Sequence, residues 1–240
     1  MLRMLEIMNI IAAKKVYPVY QPIVDLVDGK IIGYEALSRG PNNISPELLF
    51  EAANQYGLTR ILDTLCLQKC VEHINGKELI FLNILPYTLV WLTINGEINR
   101  LIGKNIVFEL LETEKISEPN EFVQIIRDLR KKEFKFAIDD ISYGFSRLHI
   151  IPLIKPEYIK IDRGLVTDED KAYGAMIKNL VNISREMNTK LIVEKVENEI
   201  QCKNIFFCGV RYYQGYYFAK PGEKAIIPDI SRFFEDDFSF

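Results

Sequence analysis

The 240-residue chain has only two histidines and four cysteines, and no excess of charge of one sign: 30 Lys+Arg face 33 Asp+Glu, a formal net charge of −3. Four cysteines in a chain this long do not make a disulfide framework. A balanced charge argues against a strongly basic surface for a nucleic-acid polymer. No run approaches the about 20 apolar residues of a membrane span. With 48% apolar and 26% charged residues the composition is that of a folded protein rather than a disordered one. No Pro/Gly/Ser-rich linker or low-complexity tract interrupts it, so a single domain over 1–240 is expected. The N-terminal MLRMLEIMNIIAAKK has no basic leader and carries Glu6 inside its apolar stretch, a poor secretory signal, so the expected location is cytoplasmic. Cys66, Cys70 and His73 could share one helix face, but a buried face is the simpler reading, since structural zinc takes four closed ligands. Cys202 and Cys208 read as core thiols.

What is present is a recurring unit, a short apolar, β-branched or aromatic run followed by a stretch with helical spacing. The runs are VYPVYQPIV (from Val16), KIIGYEAL (Lys30), ELIFLNI (Glu78), NIVFELLE (Asn105), KFAIDD (Lys135), EYIKID (Glu157), KLIVEKVE (Lys190) and RYYQGYYF (Arg211). Helices are expected at 46–56, 59–74, 121–132 and 170–188. Eight such units in about 250 residues suggest an α/β fold, a TIM-like βα barrel. Only DLVDG separates the first two runs. Parallel neighbours need a crossover of a dozen or more residues, so this first pair must be antiparallel and the barrel irregular. An open doubly wound sheet is the alternative. Residues 1–15 read as an amphipathic helix burying Leu5, Met8, Ile11 and Ala12, and 222–240 as a packed or frayed tail.

Runs two to seven each end on a polar group: Glu35, Asn83, Glu109, Asp139 with Asp140, Lys160 and Glu194. In a βα barrel these positions converge on the C-terminal rim, where active sites are built. One such carboxylate could merely cap a helix; six consecutive runs are harder to dismiss. Five carboxylates and an amide would repel one another unless cations were present. Oxygen ligands in that number, with so few histidines, imply Mg²⁺ or Mn²⁺ rather than Zn²⁺.

YEALSR, at 34–39, contains the signature of EAL-domain phosphodiesterases, and the rest of the pattern follows in order over about 16–221. FLNILP, FELLE, AIDD, YIKID, VEKVE and YYQGYYFAKP each resemble a family segment. The resemblance implies hydrolysis of cyclic di-GMP to linear pGpG with two Mg²⁺ or Mn²⁺ ions. It implies Glu35, Asn83, Glu109 and Asp139 as ligands of one ion, with Asp139 and Asp140 bridging or holding a second. Lys160 would stand beside water and phosphate, and Glu194 would be the general base or would orient a metal-bound water. Glu112 would steady a catalytic loop. Arg39 would grip phosphate, its bland alternative being a surface ion pair. Gln214 would meet a guanine edge or orient a neighbouring ligand, and Asp162 and Glu197 would lie on the substrate side. Tyr212, Tyr213, Tyr216 and Tyr217 read as packing.

Departures from the family pattern bear on activity. Its usual loop D-D-F-G-T-G-Y-S-S is here DDISYGFSR, and the glycine between its two glutamates is Lys195. Strand alternation would point Lys195 to the helix layer, into a surface or interlayer ion pair. The altered loop, 141–147, is expected to slow turnover more than binding. No sensor segment is recognisable before the signature, so regulation is expected through a homodimer or a protein partner. The alternative function is a silent EAL domain acting as a cyclic di-GMP receptor or interaction module. A third reading is a barrel enzyme for another phosphodiester.

Overall fold

The computed structural model of the chain describes residues 2–72, 74, 77–111, 119–139, 151–162 and 171–222. Eight strands follow one another as a closed barrel, β1 Tyr17–Asp25, β2 Lys30–Arg39, β3 Ile80–Ile84, β4 Ile106–Leu110, β5 Lys135–Ile138, β6 Tyr158–Asp162, β7 Lys190–Glu194 and β8 Tyr212–Tyr213. The helices are α1 Met4–Ala12, α2 Pro46–Gln55, α3 Thr59–Val71, α4 Pro86–Ile94, α5 Pro119–Arg130, α6 Ile151–Ile154, α7 Lys171–Glu186 and α8 Glu199–Phe206. Strands and helices alternate from β3 onward, the signature of a βα barrel. All eight strands fall on the runs expected for them. The open sheet is excluded.

Contacts divide the chain into two compact units, residues 1–20 with 35–134, and residues 21–34 with 135–240. In the first, β3 and β4 are parallel, with Ile80 opposite Ile106 and Asn83 opposite Glu109. Helix α2 starts where Ser45 accepts a hydrogen bond from the Leu48 N–H (3.5 Å) and Pro46 occupies the first turn, where its missing N–H costs nothing. Its Leu49, Ala52 and Ala53 pack with Leu62, Leu65 and Cys66 of α3 and with Ile7, Ile10 and Val16. Burying a side chain such as Leu49 stabilises by about 1.5–3 kcal/mol. The N-terminal helix therefore exists, but on a different face from the one expected. Ile7 and Ile10 are buried, Ile11 packs partly, and Leu5 is 73% exposed. The segment is apolar nearly all round, so spacing alone could not choose the face that meets α2 and α3.

In the second unit β5, β6, β7 and β8 are parallel, with Ala137 opposite Tyr158, Tyr158 opposite Lys190, Asp162 opposite Glu194 and Ile192 opposite Tyr212. Strand β1 runs the other way against β8, Asp25 opposite Tyr212. It leads into β2 through a turn at 26–29, a connection too short for parallel neighbours. Asp25 accepts two backbone N–H bonds in that turn, from Val27 (3.0 Å) and Asp28 (3.1 Å). No described helix is long and apolar enough to cross a membrane.

Candidate active site

The pleat sends alternate strand residues to the same side, so within the second unit Lys135 and Ala137, Tyr158, Lys160 and Asp162, Lys190, Ile192 and Glu194, and Tyr212 share a parity fixed by the registers above. At the C-terminal ends of these strands stands a tight charge cluster. Lys160 Nζ lies 2.6 Å from Glu194 Oε1 and 3.7 Å from Asp139 Oδ1, with its side chain 1% exposed. A lysine so deeply buried is tolerated only beside opposite charge.

Next to this cluster, Asp162 is bound by the ammonium of Lys195. The expected ion pair of Lys195 is present and its side chain is exposed, but it reaches a strand-end acid and does not turn to the helix layer. Strand β7 ends at Glu194, Lys195 adopts φ 57°, and the alternation stops one residue earlier than assumed. That left-handed conformation suits the glycine the family has here. Gln214, buried, donates through Nε2 to Gln21 Oε1 (3.1 Å), and Gln21 Nε2 donates to the Ala219 carbonyl (3.0 Å). Gln21 is missing from the sequence-derived set, although a lone amide within an apolar run was its signal. Glu197 is exposed in the segment before α8, its backbone N–H donating to Gln201 Oε1. Tyr213 is fully buried, with its hydroxyl donating to the Val210 carbonyl, but Tyr216 is 57% exposed and does not pack as expected.

In the first unit, Glu35 Oε1 accepts a hydrogen bond from Asn83 Nδ2 (2.7 Å), and the β3–β4 register sets Asn83 beside Glu109, which is fully buried. Arg39, half-buried at the end of β2, donates through Nη1 to the Ser38 carbonyl (2.8 Å). Nearby, buried Asp63 on α3 accepts the Leu85 N–H (3.1 Å), tying that helix to the end of β3. Glu112, Asp140, His73 and the loop 141–147 lie outside the described residues. Cys66 and Cys70 are buried, with Ser38 Oγ 3.9 Å from Cys70 Sγ, and burial pushes both thiols up to about 12. They form a packed helix face. Among the described residues no three His, Cys, Asp or Glu groups are gathered as a metal cluster. The donors expected to bind a cation nevertheless carry oxygen only, which fits a hard divalent ion and not a thiol- or imidazole-seeking one.

The sequence model of the EAL domain matches residues 4–221, so it takes in α1 as well as the barrel. Among curated relatives, "Probable cyclic di-GMP phosphodiesterase PdeB" of Escherichia coli (strain K12) is 27% identical over 217 residues, covering 84% of this chain and 42% of that protein. The chain spans between 29% and 53% of the length of the first curated relatives it matches. Among solved structures, a standalone versatile EAL protein from Vibrio cholerae O395, in a cyclic di-GMP bound form, is 27% identical with a TM-score of 0.73, covering 90% of this chain and 97% of that one. Klebsiella pneumoniae BlrP1, in a manganese and cyclic di-GMP complex, is 25% identical with a TM-score of 0.73, covering 87% of this chain and 56% of that one. With a family match across nearly the whole chain and a barrel of the same build, this chain belongs to the EAL domain family.

Proposed function

We propose that this domain hydrolyses cyclic di-GMP to linear pGpG with divalent cations, Mg²⁺ or Mn²⁺, bound as a pair. The observation that carries the reading is the buried Lys160 ammonium held between Glu194 and Asp139 at the strand ends. Such a cation beside acids is costly to bury and adds little to stability compared with an apolar residue, so its place calls for a chemical use. The relative named a phosphodiesterase and the manganese and cyclic di-GMP complex of the neighbour support the same substrate and cofactor class.

Glu35, Asn83, Glu109, Asp139 and Asp140 are assigned as the residues that hold the cations. The cations, when bound, polarise the phosphate and lower the pKa of a water. The chain's own part is positioning and proton movement. Lys160 fixes Glu194 through Oε1, so that the carboxylate presents a constant geometry to a water, whose proton it is assigned to accept. The ammonium also offsets the acids around an anionic phosphate. Arg39 supplies further guanidinium N–H donors for phosphate oxygens, a fork suited to bidentate contact. Gln214 and Gln21, holding each other in place, are assigned to a guanine edge. Asp162 and Glu197 are assigned to the substrate side, Asp162 in a position set by Lys195, and Glu112 to the catalytic loop.

The test is incubation of the purified chain with cyclic di-GMP and Mg²⁺ or Mn²⁺, with products resolved by chromatography. Expected are pGpG, no product in chelator, and loss of turnover in Glu35→Gln and Glu194→Gln. Absence of pGpG under either metal refutes the enzymatic reading. Tight binding without product would instead establish the second reading, a receptor domain, which the altered sequence at 141–147 favours.

A further inference from the structure

We propose that the opposite end of the barrel's second unit carries a binding site for a small phosphorylated ligand, centred on Lys190. A cavity of about 730 Å³ opens there, lined by the first residues of four strands and by the C-terminal part of α7. Lys135, Tyr158, Lys190 and Tyr212 begin β5, β6, β7 and β8, and the registers place them on one parity. Lys190 and Glu194 are the two ends of β7, about 13 Å apart at the usual rise of a strand. The cavity is thus distinct from the strand ends assigned above, and its occupancy does not depend on the proposed hydrolysis.

The chemistry of the lining selects an anion. Four cationic residues, Lys135, Arg185, Lys190 and Arg211, line it against a single acid, Glu157. Glu157 is already used, since its Oε2 accepts the Phe136 N–H at 2.8 Å. The nearby acids Asp25 and Asp28 are engaged outside the lining. Asp25 takes Arg211 in a fork (Nε 2.8 Å, Nη2 2.7 Å), and Asp28 lies 2.6 Å from both Arg211 Nη2 and Lys30 Nζ. Arg211 is thereby held rigid at the cavity wall, with its guanidinium over the Tyr212 ring at 5.6 Å.

Lys190 has a different setting. Its ammonium sits 5.4 Å from the Tyr158 ring centre and 5.5 Å from that of Tyr212, and it forms no ion pair among the described residues. Burial lowers its pKa, and Lys135, Arg211 and Lys30 lower it further, with Asp25 alone opposing. An anion placed between Lys190 and Lys135 removes that repulsion, which is the driving force for binding. The volume exceeds what a bare phosphate fills, and Val27, Val181, Leu191 and Val210 add apolar wall. Those features suit a phosphate carried on an organic body.

The full-length chain is to be titrated calorimetrically with inorganic phosphate, pyrophosphate, ribose 5-phosphate and GMP, in chelator so that the metal-dependent strand ends stay silent. Binding of at least one probe, weakened about tenfold or more in Lys190→Gln, a loss of one charge-assisted contact, is the expected result. Preference for ribose 5-phosphate or GMP identifies a phosphorylated organic ligand, whereas equal or better binding of inorganic phosphate identifies free phosphate; either supports the site. As a second readout, Lys190, itself exposed, should be acylated by acetic anhydride faster than the other exposed lysines and be protected by the probe that binds. No binding of any probe at millimolar concentration, or binding unaltered in a folded Lys190→Gln, overturns the proposal.

Discussion

Replacing Lys160 by methionine isolates the energetic logic of the charge cluster. Methionine keeps most of the aliphatic stem and deletes only the ammonium, so no cavity of consequence opens. What remains is Glu194 and Asp139 without the cation that stood 2.6 and 3.7 Å from them. Removing one member of a fully buried pair costs about 3–5 kcal/mol, mostly from the stranded charge. Here the two carboxylate side chains keep 14% and 19% of their exposure, so water recovers part of the loss. A cost of about 2–3 kcal/mol is expected. Urea unfolding in chelator, comparing midpoints at constant slope, measures it. The double variant Lys160→Met, Glu194→Gln no longer strands a charge at Glu194 and should regain about half of the loss. Saturating Mn²⁺ should stabilise Lys160→Met more than the parent, because the cation replaces the missing charge. A loss under about 1 kcal/mol, or a double variant as unstable as the sum of the singles, would refute the reasoning.

Gly215→Ala should fold poorly or melt markedly lower, because a Cβ there would stand 2.0 Å from the Val196 carbonyl oxygen, which accepts the Tyr217 N–H; overpacking of this kind costs about 1–3 kcal/mol or more. Lys195→Gly exchanges the ion pair to Asp162 for relief of the left-handed backbone, about 1 kcal/mol each way, so its melting temperature should stay near the parent's, while Lys195→Ala loses the pair and keeps the strain and should melt lower. Alkaline pH should destabilise the fold: Cys66, Cys70 and Cys202 titrate near 12 when folded, so between about 9 and 12 the unfolded chain sheds protons that the folded one keeps, and stability falls by about 1.4 kcal/mol per pH unit for each thiol. Urea midpoints at pH 7.5, 9 and 10.5 check this, and a flat profile contradicts it. A thiol reagent at pH 8 should modify Cys208, which is partly exposed, well before the three buried cysteines.

The strands were legible because each is a compact apolar run closed by punctuation, and the hairpin sequence DLVDG forced the one reversed strand that the β1–β8 pairing displays. Two of the strands that fall short of their runs do so for local reasons. The run RYYQGYYF contributes only Tyr212–Tyr213 to the sheet, since Gly215 lets the following turn press against the Val196 backbone. KLIVEKVE stops at Glu194 because Lys195 leaves the extended region. Helix α1 was legible as a helix but not as a face, its apolar residues covering nearly every side.

Most residues assigned to the proposed site were picked out by one rule, a polar group at the end of an apolar run. That rule holds for parallel strands, whose C-terminal ends share a rim. It fails for β1, which runs backwards, so that its residue beside Gln214 sits in the middle of the run. The rule passed over Gln21 for that reason, although the lone amide stood out within its apolar run. The same reversal explains why Asp25, at the end of β1, meets Arg211 at the start of β8 rather than the acids at the strand ends.

Attention to run ends also hides the run beginnings. In the second unit the runs open on Lys135, Glu157, Lys190 and Arg211, and Asp139, Lys160, Asp162, Glu194 and Gln214 stand toward their other ends. The second unit thereby sorts charge along its strands, mostly acids at one end and mostly cations at the other. A phosphate approaching the acidic end is repelled until divalent cations arrive, so binding there should vanish in chelator. A phosphate approaching the basic end meets ammonium and guanidinium groups directly, so binding there should survive chelator and weaken with added salt, as partly exposed charges are screened over about 8–10 Å at physiological ionic strength. The two ends of one strand, β7, would then answer to opposite conditions.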